Sequence, residues 1–368
     1  MTIQTDVSGQ ESISFTLTGS GVKGWRLVGT AGFSAGAADY VSLAVDSADG
    51  TPYVAYVDQS IDNGYPQVKM FTSGAWSTLA DPGKPTVTDP YFYTSIYILD
   101  SVPNLAYSYK DVGGYAIRVM SYDSVTPQWN QNGSFDRGTL SPHQYLSLKA
   151  DSSGWLFVAF RDNSASSSGR VSLWDYAESS WNLYWSNFTP NANSFVSLGF
   201  IGTTPFVAFK DDVALAANVY CAGDGMNPYG SSNFSAGEVN YTSLAVDSSS
   251  VVYVAYSDVE NDSKVTVMKN EGSDWTVVGE TGFSASAASY VSLAIGSDDT
   301  PYVAYKDAGN SNKVTVQKFN GTSWELVGTA GFSSGSADYV VLVLNETTPF
   351  VAFNDGSAAG KVTVMKFQ

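Results

Sequence analysis

The sequence predicts an all-β fold, a seven-bladed β-propeller of four-stranded antiparallel blades, from three observations. An anchor of small residue, aromatic, any residue and Asp recurs seven times, 47 to 53 residues apart. Each copy carries four short segments of alternating polarity separated by turn residues. The last copy lacks its fourth segment, and a matching segment stands near the N-terminus.

The anchor reads Ala55-Tyr56-Val57-Asp58, Ser108-Tyr109-Lys110-Asp111, Ala159-Phe160-Arg161-Asp162 and Ala208-Phe209-Lys210-Asp211. Ala255-Tyr256-Ser257-Asp258, Ala304-Tyr305-Lys306-Asp307 and Ala352-Phe353-Asn354-Asp355 follow. Within the copy that begins at Tyr290, YVSLAI is one strand, and the DDTP turn leads to YVAY. The loop KDAGNSN leads to KVTVQKF and the turn NGTS to WELVG, before a longer link, TAGFSSGSAD, enters the next copy. Val, Tyr, Phe and Thr fill the segments while Gly, Asn, Asp and Ser fill the gaps, which is strand and turn chemistry. Blades are therefore expected at 40–80, 93–133, 145–185, 195–230, 241–279 and 290–328. The seventh, 339–368, is completed by 25–30 around Trp25–Gly29, in a single propeller domain spanning 1–368. Docking of that N-terminal strand removes an exposed sheet edge. The earlier segment ISFTLT either adds an outer strand or covers the closure.

Composition narrows the function classes. The 368 residues carry 18 basic and 35 acidic side chains, a formal charge of −17. A polyanion or an anionic membrane would be repelled, so neither a nucleic-acid partner nor membrane insertion is expected. A single cysteine, Cys221, excludes an internal disulfide framework, and a single histidine, His143, excludes a two-histidine mechanism. The opening MTIQTDVSGQESISF has no basic n-region or apolar h-region, so no signal peptide is expected within it.

Two sets of residues are candidate ligand contacts. Asp58, Asp111, Asp162, Asp211, Asp258, Asp307 and Asp355 begin the loops between second and third strands, and so form a ring on one face. Each either caps its own loop or contributes to a cation site or a row of sugar-hydroxyl acceptors. Ca2+ is the one cofactor these Asp- and Asn-rich loops suggest, although they lack the glycine and distal Glu of an EF-hand. The basic residues just before four of them, Lys110, Arg161, Lys210 and Lys306, are expected to be solvated. Phe33, Phe234, Phe283 and Phe332 recur in the links and act either as wedges between blades or as walls of inter-blade sugar pockets. Serines at the third place of the YVSLA segment (Ser42, Ser95, Ser147, Ser197, Ser243 and Ser292, with Val341 the exception) are read as small packing residues. Residues 76 to 235 depart from the repeat and hold Asp136, Arg137, His143, Asp211, Asp212 and Cys221. A catalytic site needs asymmetry and would have to lie in these blades 2 to 4, whose divergence neutral drift also explains.

The phrase W-x-x-V-G-x-x-G-F-S followed by Y-V-S-L-A, P-Y-V-A-Y-x-D and K-V-T-V-x-K-F-N-G-T-S-W resembles propeller repeats of microbial secreted or surface proteins. The resemblance covers residues 25 to 368 and implies an extracellular or surface location. In architecture alone the chain is similar to the multivalent propeller lectins, which implies glycan binding between blades or on the top face. The resulting expectation is a non-catalytic, lectin-like binder of a glycan or surface polysaccharide. Its alternatives are a polysaccharide lyase or hydrolase working from blades 2 to 4, and a protein-interaction or adhesion scaffold.

Overall fold

The PYVAY segment of blade 6 is apolar on both sides of its alternation, and the structure shows why. Its strand, Pro301–Asp307, lies between two neighbouring blades: Val303 and Tyr305 pack on blade 5, and Tyr302 and Ala304 on blade 7. The computed structural model describes residues 23–368 except 62–63, 83–91, 112, 140, 164–168, 178–179 and 224, so ISFTLT lies outside the described residues. Seven four-stranded sheets form the ring; six are ordered inner to outer as the chain runs, and the seventh takes its outer strand from the N-terminal side. The inner strands are Ala38–Val45, Phe92–Leu99, Gln144–Ala150, Asn193–Ile201, Val239–Val246, Ala288–Ile295 and Ala337–Asn345. Closure is as expected: Trp25–Leu27 pairs antiparallel with the last strand, Trp25 opposite Phe367 and Leu27 opposite Met365. The core is divided into seven apolar clusters, each at a blade junction. No helix among the described residues is long and apolar enough to cross a membrane.

The inner-strand serines do more than save space. The Oγ of Ser42, Ser95, Ser147, Ser197, Ser243 and Ser292 each accepts a hydrogen bond from a backbone N–H of the next blade's inner strand, at 2.9–3.1 Å. Each bond ties one sheet to the next where the blades crowd together. Ser292→Ala is expected to cost about 1–2 kcal/mol in urea unfolding, because it strands the Leu342 N–H. A loss under about 0.3 kcal/mol would show that water replaces the hydroxyl.

The link phenylalanines clasp the neighbouring blade. Phe33, Phe234, Phe283 and Phe332 lie face to face on Trp76, Trp275, Trp324 and Trp25, with centroids 4.0–4.2 Å apart. The same four indoles donate to backbone carbonyls in the preceding blade at 2.7–2.9 Å. Gly328 sits at φ +80 against Trp25, and a Cβ there would come 2.9 Å from Phe367 and 3.1 Å from the indole. The G in the V-G-x-x-G-F phrase therefore lets the backbone bend over the ring.

Blade 2 corrects the repeat alignment. Pairing of Ser95 with Ala106 makes Ala106-Tyr107-Ser108-Tyr109 the counterpart of Ala55-Tyr56-Val57-Asp58, since Ser42 pairs with Ala55. The blade 2 strand runs two residues further, so Tyr109 and not Asp111 occupies the aspartate's place. Arg118 covers its ring, 4.4 Å from the centroid. The side chains of Asp111, Asp136 and Arg137 lie outside the described residues.

Candidate functional site

The six remaining anchor aspartates are 1–5% exposed and turn into their own loops. Asp307 accepts from the Gly309 N–H, Asn310 Nδ2 and Thr315 Oγ1 at 2.7–3.0 Å. Asp355 does the same with Ser357 and Thr363, and Asp211 with the N–H groups of Val213 and Ala214 and with Asn191. Asp58 takes the N–H and hydroxyl of Ser60, Asp258 takes Thr266 and Asn261, and Asp162 takes Ser172. This loop capping accounts for an aspartate in each of these blades. Among the described residues no group of three His, Cys, Asp or Glu side chains is placed to share a metal ion.

A different set of residues meets at the propeller axis. Tyr40, Tyr93, Tyr145, Phe195, Tyr241, Tyr290 and Tyr339, one from each inner strand, close into a ring of aromatics. Neighbouring ring centroids are 4.4–5.4 Å apart and tilted by 39–56° all the way round. They line a basin of about 380 Å³. Each sits in a β-bulge, where the register of the inner strand slips against its partner. All seven adopt φ between 50° and 57°, a left-handed conformation that costs a non-glycine residue about 1–2 kcal/mol. The bulge is what aims the rings at the axis. The sequence carried this signal in the first letter of YVSLA, which periodicity alone does not distinguish from any other half-buried strand position.

Charged groups form a collar around the basin, and they differ from blade to blade. Lys306 Nζ is 2.6 Å from Asp338 Oδ1, Lys210 Nζ is 2.9 Å from Glu238 Oε1, and Arg161 Nη1 is 3.3 Å from Asp212 Oδ2. Each pair joins two adjacent blades. These bases are thus not solvated as expected: Lys210 is 7% exposed. The residue before the ring aromatic is acidic in two blades, Asp39 in blade 1 and Asp338 in blade 7, which are neighbours across the closure. Burial raises the pKa of Asp39; hydrogen bonds from Gln59 and Tyr339 oppose this, and the nearby Asp338 charge adds to it. The ring hydroxyls of Tyr40, Tyr93, Tyr241 and Tyr339 have raised pKa values through burial, and that of Tyr290 is pushed up to about 12. They stay protonated, and able to donate, across the physiological range.

In the irregular sector, His143 is fully buried, edge-on to Phe160, with Nδ1 3.7 Å from Asp162 Oδ1. It stands where other blades place Ala38, Ala288 or Ala337, so it fills the interior and does not face the basin. Cys221 is a free thiol on the third strand of blade 4. At the base of blades 3 and 4 a cavity of about 370 Å³ lies among Trp155, Phe157, Tyr184 and Asp175. Asp175 is 7% exposed, its Oδ1 has no partner, and burial raises its pKa. A raised carboxyl adds stability that is complete below the unfolded pKa and fades as pH climbs through the folded one. Asp175→Asn is therefore expected to stabilise the protein by about 1 kcal/mol at pH ~7, with the gain shrinking in acid. Urea midpoints at both pH values test this, and a gain that persists in acid contradicts it. A wider groove of about 670 Å³ lies on the rim between blades 5 and 6, but all seven blades contribute to the axial basin.

No protein-family description and no curated protein matches the chain. Solved structures do. A Penicillium chrysogenum α-L-arabinanase complexed with arabinobiose is 9% identical, with a TM-score of 0.55, over 94% of this chain and 97% of its own. The polysaccharide lyase Uly1 is 13% identical at a TM-score of 0.58, over 92% and 91%. A Dyadobacter fermentans protein of unknown function is 9% identical at 0.52, over 94% and 98%. The likeness is one of fold. Whole-chain coverage supports a seven-bladed propeller, and the chemistry must be argued from the basin.

Proposed function

We propose that the protein is a carbohydrate-active propeller that holds a polysaccharide over the axial basin and hydrolyses it. The ring of seven aromatics carries the reading, because tilted aromatic faces offer apolar sugar faces a stacking surface while Tyr hydroxyls and the collar meet sugar hydroxyls. The Asp39 and Asp338 pair supplies the asymmetry that cleavage needs. Two nearby carboxyl groups in unlike settings fit the roles of proton donor and second carboxylate in glycoside hydrolysis. Asp39 gives its proton to the departing glycosidic oxygen, and Asp338, held by Lys306, acts on the sugar carbon directly or through water. That neighbours of the same fold are named an arabinanase and a polysaccharide lyase supports carbohydrate as the substrate class. A polysaccharide substrate favours an extracellular or surface location.

The near-sevenfold repetition of the floor favours a second reading, lectin-like binding without cleavage. One experiment separates them: polysaccharides including arabinan are incubated with the protein, and reducing ends, unsaturated products and retained polymer are measured. New reducing ends without unsaturation support hydrolysis, and unsaturated ends replace it with a lyase. Retention without cleavage supports the lectin reading, and neither binding nor cleavage overturns both.

A further inference from the structure

Blade 3 departs from the repeat in three ways that meet at one cavity. In blades 5, 6 and 7 an aromatic on the second strand stands opposite a lysine on the third. The pairs are Tyr253 with Lys269, Tyr302 with Lys318 and Phe350 with Lys366. In blade 7 the ammonium lies over the ring, 5.9 Å from the Phe350 centroid. Blade 3 keeps the aromatic, Phe157, but places Asp175 opposite it. An anion stands where the repeat has a cation.

The other two departures add aromatic surface. Trp155 holds the turn position that Thr51, Val251 and Thr300 take in blades 1, 5 and 6. Tyr184 is the extra residue of a β-bulge, between Leu183 opposite Trp174 and Trp185 opposite Leu173. Among the described residues the three most exposed aromatic side chains, Trp155, Tyr184 and Trp185, all belong to this blade.

Trp155, Phe157 and Tyr184 wall the cavity of about 370 Å³ together with Asp151 and Asp175. The Phe157 and Tyr184 rings stand at 81° to each other, 5.4 Å between centroids, and form a corner. Asp151 serves its own turn, where Oδ1 accepts from the N–H groups of Ser153 and Trp155 at 2.9 Å. Asp175 has no such employment: it is 7% exposed and its Oδ1 has no partner. Among the described residues no basic side chain lines the cavity.

We infer that this cavity is a second binding site, for a small quaternary ammonium cation, with Asp175 as its counter-ion. Aromatic faces attract a cation, and a carboxylate set behind them in a poorly solvated wall adds to the attraction. A diffuse cation suits the site because Asp175 Oδ1 is buried, so its charge acts through its field and needs no N–H donor. The volume lies within the roughly 300–1,000 Å³ of small-molecule sites. An unpaired carboxylate that weakens the fold is thereby given a use. The site shares no residue with the axial basin and does not depend on the carbohydrate reading.

Choline is the probe, titrated calorimetrically into the full chain, with neohexyl alcohol as its uncharged twin of the same shape. Saturable one-to-one binding of choline is expected, about tenfold or more tighter than that of the alcohol. Asp175→Asn is expected to weaken choline by about tenfold or more while the protein stays at least as stable, so the loss is not one of folding. Trp155→Ala, in an exposed turn, is expected to weaken it about tenfold. Phosphocholine separates two sources of the same group: weaker binding than choline supports a free cation, and equal binding supports a phosphorylated headgroup. Equal affinity for choline and the alcohol reports an apolar pocket and overturns the proposal. Absence of choline binding, or an unchanged affinity in Asp175→Asn, overturns it as well. Arabinobiose bound in place of choline, and lost in Trp155→Ala, gives the cavity to a sugar and overturns it too.

Discussion

Trp25→Ala is expected to cost about 3–5 kcal/mol, and more than the same change at Trp324. Both indoles have the same surroundings. Trp25 stacks on Phe332 at 4.0 Å, meets Phe367 edge-on and donates to the Val327 carbonyl at 2.7 Å. Trp324 stacks on Phe283 at 4.2 Å, packs on Phe319 and donates to the Val278 carbonyl at 2.8 Å. The difference is connectivity. Trp324 follows its blade's third strand through a short turn, whereas Trp25 belongs to a strand that its blade holds by pairing alone. Loss of Trp324 leaves its three-residue strand tethered; loss of Trp25 releases the closing strand and bares the edge of Lys361–Phe367. Differential calorimetry on the two variants reads the contrast directly. Equal losses would mean that the three paired residues at Trp25–Leu27 close the ring without the clasp.

Asp39→Asn is expected to slow polysaccharide cleavage by about 10²–10⁴-fold while binding stays close to wild type. The amide keeps the shape and the Gln59 contact at 2.8 Å but has no proton of comparable acidity to give. The pH profile carries the sharper signature. Because burial raises the pKa of Asp39, its acid form persists above the usual carboxyl range, and the rate falls as pH climbs through that raised value. The residual activity of Asp39→Asn loses this alkaline limb. A variant that keeps the limb, or that loses binding along with rate, would remove Asp39 from the role of proton donor.

The parts of the molecule legible in the sequence are those set by short-range chemistry. Strands, turns and the count of blades follow from alternation and Gly, Asn and Asp placement, and closure follows from a missing WELVG-like segment matched at Trp25. The parts that were not legible depend on neighbours remote in the chain. Ser243 looks like a small residue until the Leu293 N–H of the next blade is seen to point at it. Lys210 looks solvated until Glu238 and Asn240 are found over it, at 2.9 and 3.1 Å. In blade 2 the anchor pattern itself misled, because two extra strand residues placed an Asp in phase by sequence and out of phase by pairing. The tyrosine ring was hidden for a different reason. A left-handed bulge at Tyr40 or Tyr290 has no hydrophobic period, and its aromatic occupant is the opposite of the glycine that such a backbone favours.

The closing contact has a further meaning during synthesis. Trp25 and Val327, joined by one hydrogen bond, are 302 residues apart in the chain. Trp25–Leu27 leaves the ribosome long before Lys361–Phe367, the strand it pairs with, and waits until that strand has been made. Contacts of such sequence separation form slowly, and an unpaired edge is exposed to self-association in the interval. The blades between them assemble from local hairpins, so a nascent chain grows as an open arc and becomes a ring in its final step. The yield of folded protein is then governed by how long that arc stays apart from other copies of itself, and dilution or slower synthesis favours the ring.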